Sequence, residues 1–194
     1  MNFWLAFLTL PANDRMRALM IIHTGFQDQE VHYPFHRLRE EGIETTVMAE
    51  KIGMIRGIIG TEIAATQQIG ALDQMQSAAT VFAANDLLIL PGGVKAMEKL
   101  RQHQPTLTFI AGWFGADKLV ACMCSGVQLL ISADVVRGRR LTCYSAFAID
   151  ARNAGAIYSD APVVRDGNLI TSPHNKYLAE WMKATVEATK HENR

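Results

Sequence analysis

The stretch LVACMCSGVQLLISA, residues 119–133, decides the fold. It opens as an unbroken apolar run of strand length and closes with the spacing of a short helix, with Cys124-Ser125-Gly126 at the junction. Apolar character without polar alternation marks a strand buried on both faces, which belongs to a parallel sheet covered by helices. Working outward, ALMIIH (18–23) reads as a first strand, followed by a helical pattern over 29–41 that Gly42 stops. IETTVMA (43–49) is β-branched and reads as a second strand; DLLIL (86–90) is another buried strand, ended by Pro91-Gly92-Gly93. Helical patterns follow over 95–102 and 105–115, and the helix after Cys124 is expected over 125–133. Short strands are expected around 141–143, 156–158 and 162–171, with a last helix over 176–190. Residues 52–85 are the least legible: apolar pieces around Gly57 and Gly60, then an Ala/Gln-rich stretch expected to be helical in part. Strand and helix alternating in this order predict an α/β fold, a three-layer α/β/α sandwich with a mostly parallel central sheet.

The 194 residues suit one domain with a real core. Hydrophobic residues make up 49% and charged ones 20%, which excludes a disordered chain. Nineteen basic and nineteen acidic side chains cancel, so nothing favours a nucleic acid or an anionic membrane as partner. Three cysteines are too few for a disulfide scaffold and point to a reducing, cytoplasmic setting with at least one free thiol. The apolar run MNFWLAFLTL (1–10) has the look of a secretory segment but lacks a basic residue before Arg15 and a clean cleavage site. Residues 1–15 are therefore read as an apolar arm or as sequence preceding a natural start at Met16, with a signal segment as the alternative. A single domain is expected over 16–190, with 191–194 as a tail. No stretch is long enough to span a bilayer, and no repeat or linker interrupts the chain.

The junction at Cys124 has the form of a nucleophile elbow, small-x-Cys-x-Gly, with Cys122 where a first glycine is usual. Such a turn lifts the sulfur above the carboxyl edge of the sheet, where open α/β folds place ligands, and near a helix N-terminus expected to favour thiolate. The Ser125 N–H is expected as one oxyanion donor and the Gly93 N–H as a second. The alternative is that Cys124 is a small buried core residue, the fate read here for Cys122 and Cys143. His32 and His36 have a spacing that can bind metal on one helical face, but Pro34 lies between them and no third ligand is apparent, so no metal site is expected. His23 is placed at the edge of the site, His103 and His191 in solvent, and Trp113 and Trp181 in the core or an interface.

These pieces resemble the ThiJ/PfpI superfamily. The resemblance is carried by GFQDQEVHYPFHRLREEG (25–42), LLILPGG (87–93), MCSGVQLLISADVVRGRRLT (123–142), NAGAIYSD (153–160) and VVRDGNLITS (163–172), in collinear order. It implies a flavodoxin-like fold of the class I glutamine amidotransferase type and is nearest the intracellular protease-like and deglycase-like branch. It also implies that Cys124 is the reactive cysteine, Glu30 the carboxylate aimed at it, and Glu98 an acid serving a site shared across the interface of a homodimer or larger homo-oligomer. The chain departs from the pattern in three places. Ser125 stands where a histidine is usual after the cysteine, Ser172-Pro173-His174-Asn175 replaces a Ser-Arg-x-Pro segment, and Gln27 stands where an acid is common. Serine cannot exchange a proton near neutral pH as imidazole does, which weakens a peptidase or amidase reading. His174 is the one auxiliary candidate, with loop capping as its plainer role. The expected function is a cofactor-free, cysteine-dependent enzyme for small carbonyl electrophiles, of glyoxalase or deglycase type. The alternatives are PfpI-type peptide hydrolysis and a non-enzymatic cysteine oxidation sensor or stress protein.

Overall fold

The computed structural model describes residues 16–192, so the expectations for 1–15 and for the last two residues of the tail lie outside the described residues, as does the side chain of His191. Eleven strands and seven α-helices follow one another in these residues. Five parallel strands carry the core: β1 (Arg17–Ile21), β2 (Glu44–Ala49), β6 (Leu87–Leu90), β7 (Leu119–Met123) and β11 (Leu169–Ser172). The sheet runs β10-β11-β7-β6-β1-β2-β5, with the two-residue β5 (Gln67–Gln68) at one edge and β10 (Val164–Asp166), antiparallel to β11, at the other. Counting only the five central strands, the order is 2-1-3-4-5, the doubly wound arrangement in which connections leave β1 and β6 in opposite directions. β6 and β7 are buried along their whole length, as their continuous apolar runs require, and β11 is buried too although Thr171 and Ser172 end it.

Helix α1 (Asp28–Glu40) packs beside α7 (Leu178–Glu192), over β2 and β11 respectively. The second helical layer consists of α2 (Met75–Ala83), α3 (Val94–Leu100), α4 (Gln104–Gly115) and α5 (Val127–Ser132), joined through α2–α4, α4–α5 and α3–α5 contacts. Trp113 and Trp181 are fully buried, one in each layer, and the Trp113 indole donates to the Leu119 carbonyl at 3.0 Å. The short parallel pair β8 (Arg140–Leu141) and β9 (Ile157–Tyr158) forms a separate small sheet, with β8 packed against β10 and β11 and β9 against helix α6 (Ala148–Asn153).

Residues 52–85 resolve into an antiparallel hairpin, β3 (Gly53–Arg56) and β4 (Glu62–Ala65), then β5, a 3₁₀ turn at Ile69–Leu72 and α2. Exposed Ile52, Met54, Ile58 and Ile59 on this hairpin hide any inside–outside alternation from the sequence. The helix expected over 125–133 is shorter: residues Cys124–Gly126 form a 3₁₀ turn and α5 begins at Val127. His103, expected in solvent, is instead tied down by Thr106 Oγ1 through Nδ1 and by Asp73 through Nε2, both at 2.8 Å, at the start of α4.

Candidate active site

Three strand ends meet at the carboxyl edge of the sheet. β1 leads into the turn before α1, which carries Glu30; β6 ends in Pro91-Gly92-Gly93; β7 ends at Cys124. The first turn of α1 is fixed by an unusual cap, the Gln27 Oε1, which accepts the Glu30 N–H at 2.9 Å. A neutral amide here supplies the cap without adding a second negative charge beside Glu30. The Gln27 N–H donates to the Gly92 carbonyl at 3.0 Å, tying α1 to the β6 turn. Gly92 returns the link: its N–H donates to Glu30 Oε2 at 2.7 Å in a buried setting. A Cβ on Gly92 would stand 2.5 Å from Glu30 Oε2, 2.8 Å from Cys124 Cβ and 3.1 Å from its sulfur, so only glycine lets carboxylate and thiol close over this backbone. Cys124 itself has φ 56°, in the left-handed region that a residue with a Cβ seldom occupies.

Glu30 is 1% exposed, and burial raises its pKa from the ordinary 4.5 to about 7, with the Gly92 N–H and the Cys124 thiol pulling it back. Cys124 is half-buried, and its thiol is pushed well above the usual range, first by burial and then by the negative charge of Glu30. The Ser125 N–H and hydroxyl act against that rise by hydrogen bonding to the sulfur. This corrects the expectation of a thiolate favoured by a helix terminus. The segment after Cys124 is a 3₁₀ turn and six helical residues, and burial beside a carboxylate outweighs so short a dipole. Above about pH 7 the two groups together hold one proton, and the step belongs to the pair.

Of the other expected residues, Ser125 is fully buried and adjoins the sulfur, while the Gly93 N–H donates to Ser125 Oγ at 2.9 Å and so already has a partner. Glu98 lies on α3, exposed, and is not brought to Glu30 and Cys124 within one chain. His174 is exposed; its Nδ1 accepts the Lys176 N–H at 3.2 Å and caps the turn Asn175–Tyr177. It also lines a shallow cleft of about 190 Å³ with Cys143, Tyr144, Tyr158 and Asp160. His23 faces Glu50, its Nδ1 3.8 Å from Oε2. The His32 and His36 rings stack 6.4 Å apart, and no group of three or more His, Cys, Asp or Glu among the described residues is placed to hold a metal. Cys122 and Cys143 are buried, at 2% and 1% exposure.

Two contributors escaped the sequence reading. Asp28, 2% exposed, accepts the Ile59 N–H at 2.9 Å, the Thr61 N–H at 2.8 Å and the Thr61 hydroxyl, and so fastens the hairpin tip to the turn that bears Glu30. Tyr144 donates its N–H to the Cys124 carbonyl at 3.3 Å, holding the outer side of the elbow. An acid at a helix start looks like ordinary dipole complementation, and a backbone donor leaves no mark in sequence.

The family model that matches this chain is the DJ-1/PfpI family, over residues 16–188. A deglycase of Pyrococcus abyssi is 37% identical over 175 residues, 90% of this chain and all of the relative. Protein/nucleic acid deglycase 2 of Escherichia coli is 34% identical over 155 residues, 79% of this chain and 86% of the relative. Among solved structures, a two-domain protein of Anabaena variabilis with DJ-1/ThiJ/PfpI-like and ferritin-like domains superposes with a TM-score of 0.82 at 29% identity. That match covers 91% of this chain and 48% of the larger one. The elbow cysteine, the buried glutamate and the 2-1-3-4-5 sheet thus coincide with sequence likeness along nearly the whole domain: the chain belongs to the DJ-1/PfpI family.

Proposed function

We propose that this chain is a cofactor-free, cysteine-dependent enzyme of glyoxalase or deglycase type, acting on small carbonyl electrophiles such as α-oxoaldehydes and their adducts. The observation that carries the reading is the buried Glu30 carboxyl brought together with the Cys124 sulfur over Gly92, a pair that holds one proton above about pH 7. In the proposed course, sulfur attacks the aldehyde carbon and the pair's proton goes to the carbonyl oxygen, giving a hemithioacetal. The Glu30 carboxylate then takes the proton from the former aldehyde carbon, the hydroxyl proton passes to the neighbouring carbonyl oxygen to give an enediol, and Glu30 returns its proton to the neighbouring carbon, giving a 2-hydroxyacyl thioester that water hydrolyses. The Ser125 N–H is the expected donor to the developing oxyanion. The deglycase names of the archaeal and bacterial relatives support the same chemistry. Peptide hydrolysis is disfavoured because it needs a proton donor for an amine leaving group, and Ser125 replaces the imidazole that would supply it.

The enzyme is proposed to work as a homo-oligomer in a reducing, cytoplasmic setting. Exposed Ile58 and Ile59, at 56% and 71%, and the unengaged position of Glu98 support self-association; three free thiols support the compartment. No helix among the described residues is long and apolar enough to cross a membrane. The test is conversion of methylglyoxal to lactate: Cys124→Ala is expected to lower the rate at least 10³-fold, and unchanged turnover would remove Cys124 as nucleophile. A second reading, reversible oxidation of Cys124 as a stress signal, is favoured by Cys124 being the most accessible of the three thiols. Mass spectrometry after mild peroxide checks it, with preferential oxidation at Cys124 expected.

A further inference from the structure

We propose that the Ser125 hydroxyl is a positioning residue for the Cys124 sulfur, passing the pull of the Gly93 amide to it through an N–H···O–H···S relay. The inference rests on the reading of Cys124 as the reacting group. A serine hydroxyl has one proton and two lone pairs. Ser125 is fully buried, and one lone pair is taken by the Gly93 N–H at 2.9 Å. That amide cannot turn away: a Cβ on Gly93 would stand 2.6–2.7 Å from the Gly25 carbonyl, the Gln27 nitrogen and Phe26 Cα, and the preceding carbonyl is held by the Gln27 N–H. With the acceptor side fixed, the proton of this buried hydroxyl is directed to the sulfur of the preceding residue, where its donation acts against the rise of the Cys124 thiol. When the sulfur gives up its proton, this bond becomes charge-assisted and roughly doubles in strength. The residue that stands in for an imidazole thus holds a thiolate by donation alone, and the donor does not titrate near neutrality.

The experiment follows alkylation of Cys124 by iodoacetamide from pH 6 to 10 in the full chain, with the site confirmed by mass spectrometry. Ser125→Ala is expected to slow alkylation at pH 7.5 about 10-fold and to move the rising limb of the rate–pH profile up by about one unit. Ser125→Thr, which keeps the hydroxyl, is expected to restore the parent profile. If Ser125→Ala does not fold, Ser125→Gly carries the same expectation. A parent-like profile in the folded hydroxyl-free variant would overturn the relay. A faster rate would overturn it too, and would make the hydroxyl a plug on the Gly93 amide. Alkylation needs no carbonyl substrate, so failure of the proposed enzymatic function would appear separately, as parent protein that forms no lactate while the relay stands.

Discussion

Asp28 and Glu30 lie two residues apart in the first turn of α1, both almost wholly buried, and their carboxyl groups are driven in opposite directions. Burial disfavours charge on each. At Asp28 the backbone N–H of Ile59, the Thr61 hydroxyl and the Thr61 N–H outweigh it and hold the pKa below the ordinary value. At Glu30 the Gly92 N–H and the thiol do not suffice, and the pKa rises to about 7. Depth and donors act together: Asp28 lies nearer the molecular surface and meets the Ile59 and Thr61 donors, whereas Glu30 lies deeper with fewer, so one stays a fixed anion and the other becomes a proton carrier. One turn of helix supplies both: a structural charge that pins the β3–β4 hairpin, and a carboxyl left short of donors beside the sulfur.

Removing the ionisable group at position 30 is expected to break that contrast most severely. Glu30→Gln is expected to cut turnover of methylglyoxal by about 10²–10³-fold, since an amide cannot carry the proton. The same change has a stability consequence of opposite sign. The folded chain keeps a proton on Glu30 that the unfolded chain releases, so stability falls as pH rises from about 4.5 to about 7. At about 1.4 kcal/mol per pH unit that rise costs about 3 kcal/mol at pH 8. Denaturant titrations are therefore expected to show Glu30→Gln more stable than the parent at pH 8, with the advantage gone below pH 4.5.

Gly92→Ala comes next. Its methyl would have to displace either the carboxylate or the cysteine, and a loss of about 10–100-fold in turnover is expected from the misplaced pair. Asp28→Ala is expected to have the smallest effect on chemistry. Leaving the Ile59 and Thr61 donors without a partner costs about 2–4 kcal/mol in a denaturant midpoint. Activity is expected to rise through about pH 7 as Glu30 ionises, and in Asp28→Ala that midpoint is expected to stay within half a unit, because Asp28 is bonded to the hairpin tip at Ile59 and Thr61. A midpoint that moved with Asp28 would join the two carboxylates into one titrating system and end the comparison.

The sequence was most informative where the physics is local. Runs such as DLLIL and LVACM are legible as double-faced burial, and the strand–Cys–Gly junction announces the elbow at Cys124. Glu30 became a candidate through family likeness, because a glutamate in a first helical turn is unremarkable by itself. Contacts that join distant segments stayed hidden: Asp28 to the 57–61 turn, Gly92 to Glu30, and Gly93 to the Ser125 hydroxyl. The 57–61 turn adds a second reason. Gly57 approaches the Asp28 carboxylate so closely that a Cβ there would lie 2.4–2.6 Å from it, and the apolar side chains of Ile58 and Ile59 point outward against any simple pattern. The direction of the Cys124 shift was misjudged because helix length and burial, which set it, depend on the folded surroundings.

The left-handed backbone at Cys124 has a consequence for how this protein can change. A residue with a Cβ held at φ 56° costs of order 1–3 kcal/mol, a cost that glycine at the same place escapes. Selection for thermal endurance alone would therefore drift toward Cys124→Gly, a tougher molecule with no sulfur to react. Retention of cysteine at that corner across a lineage would measure how strongly chemistry, rather than folding, is being kept.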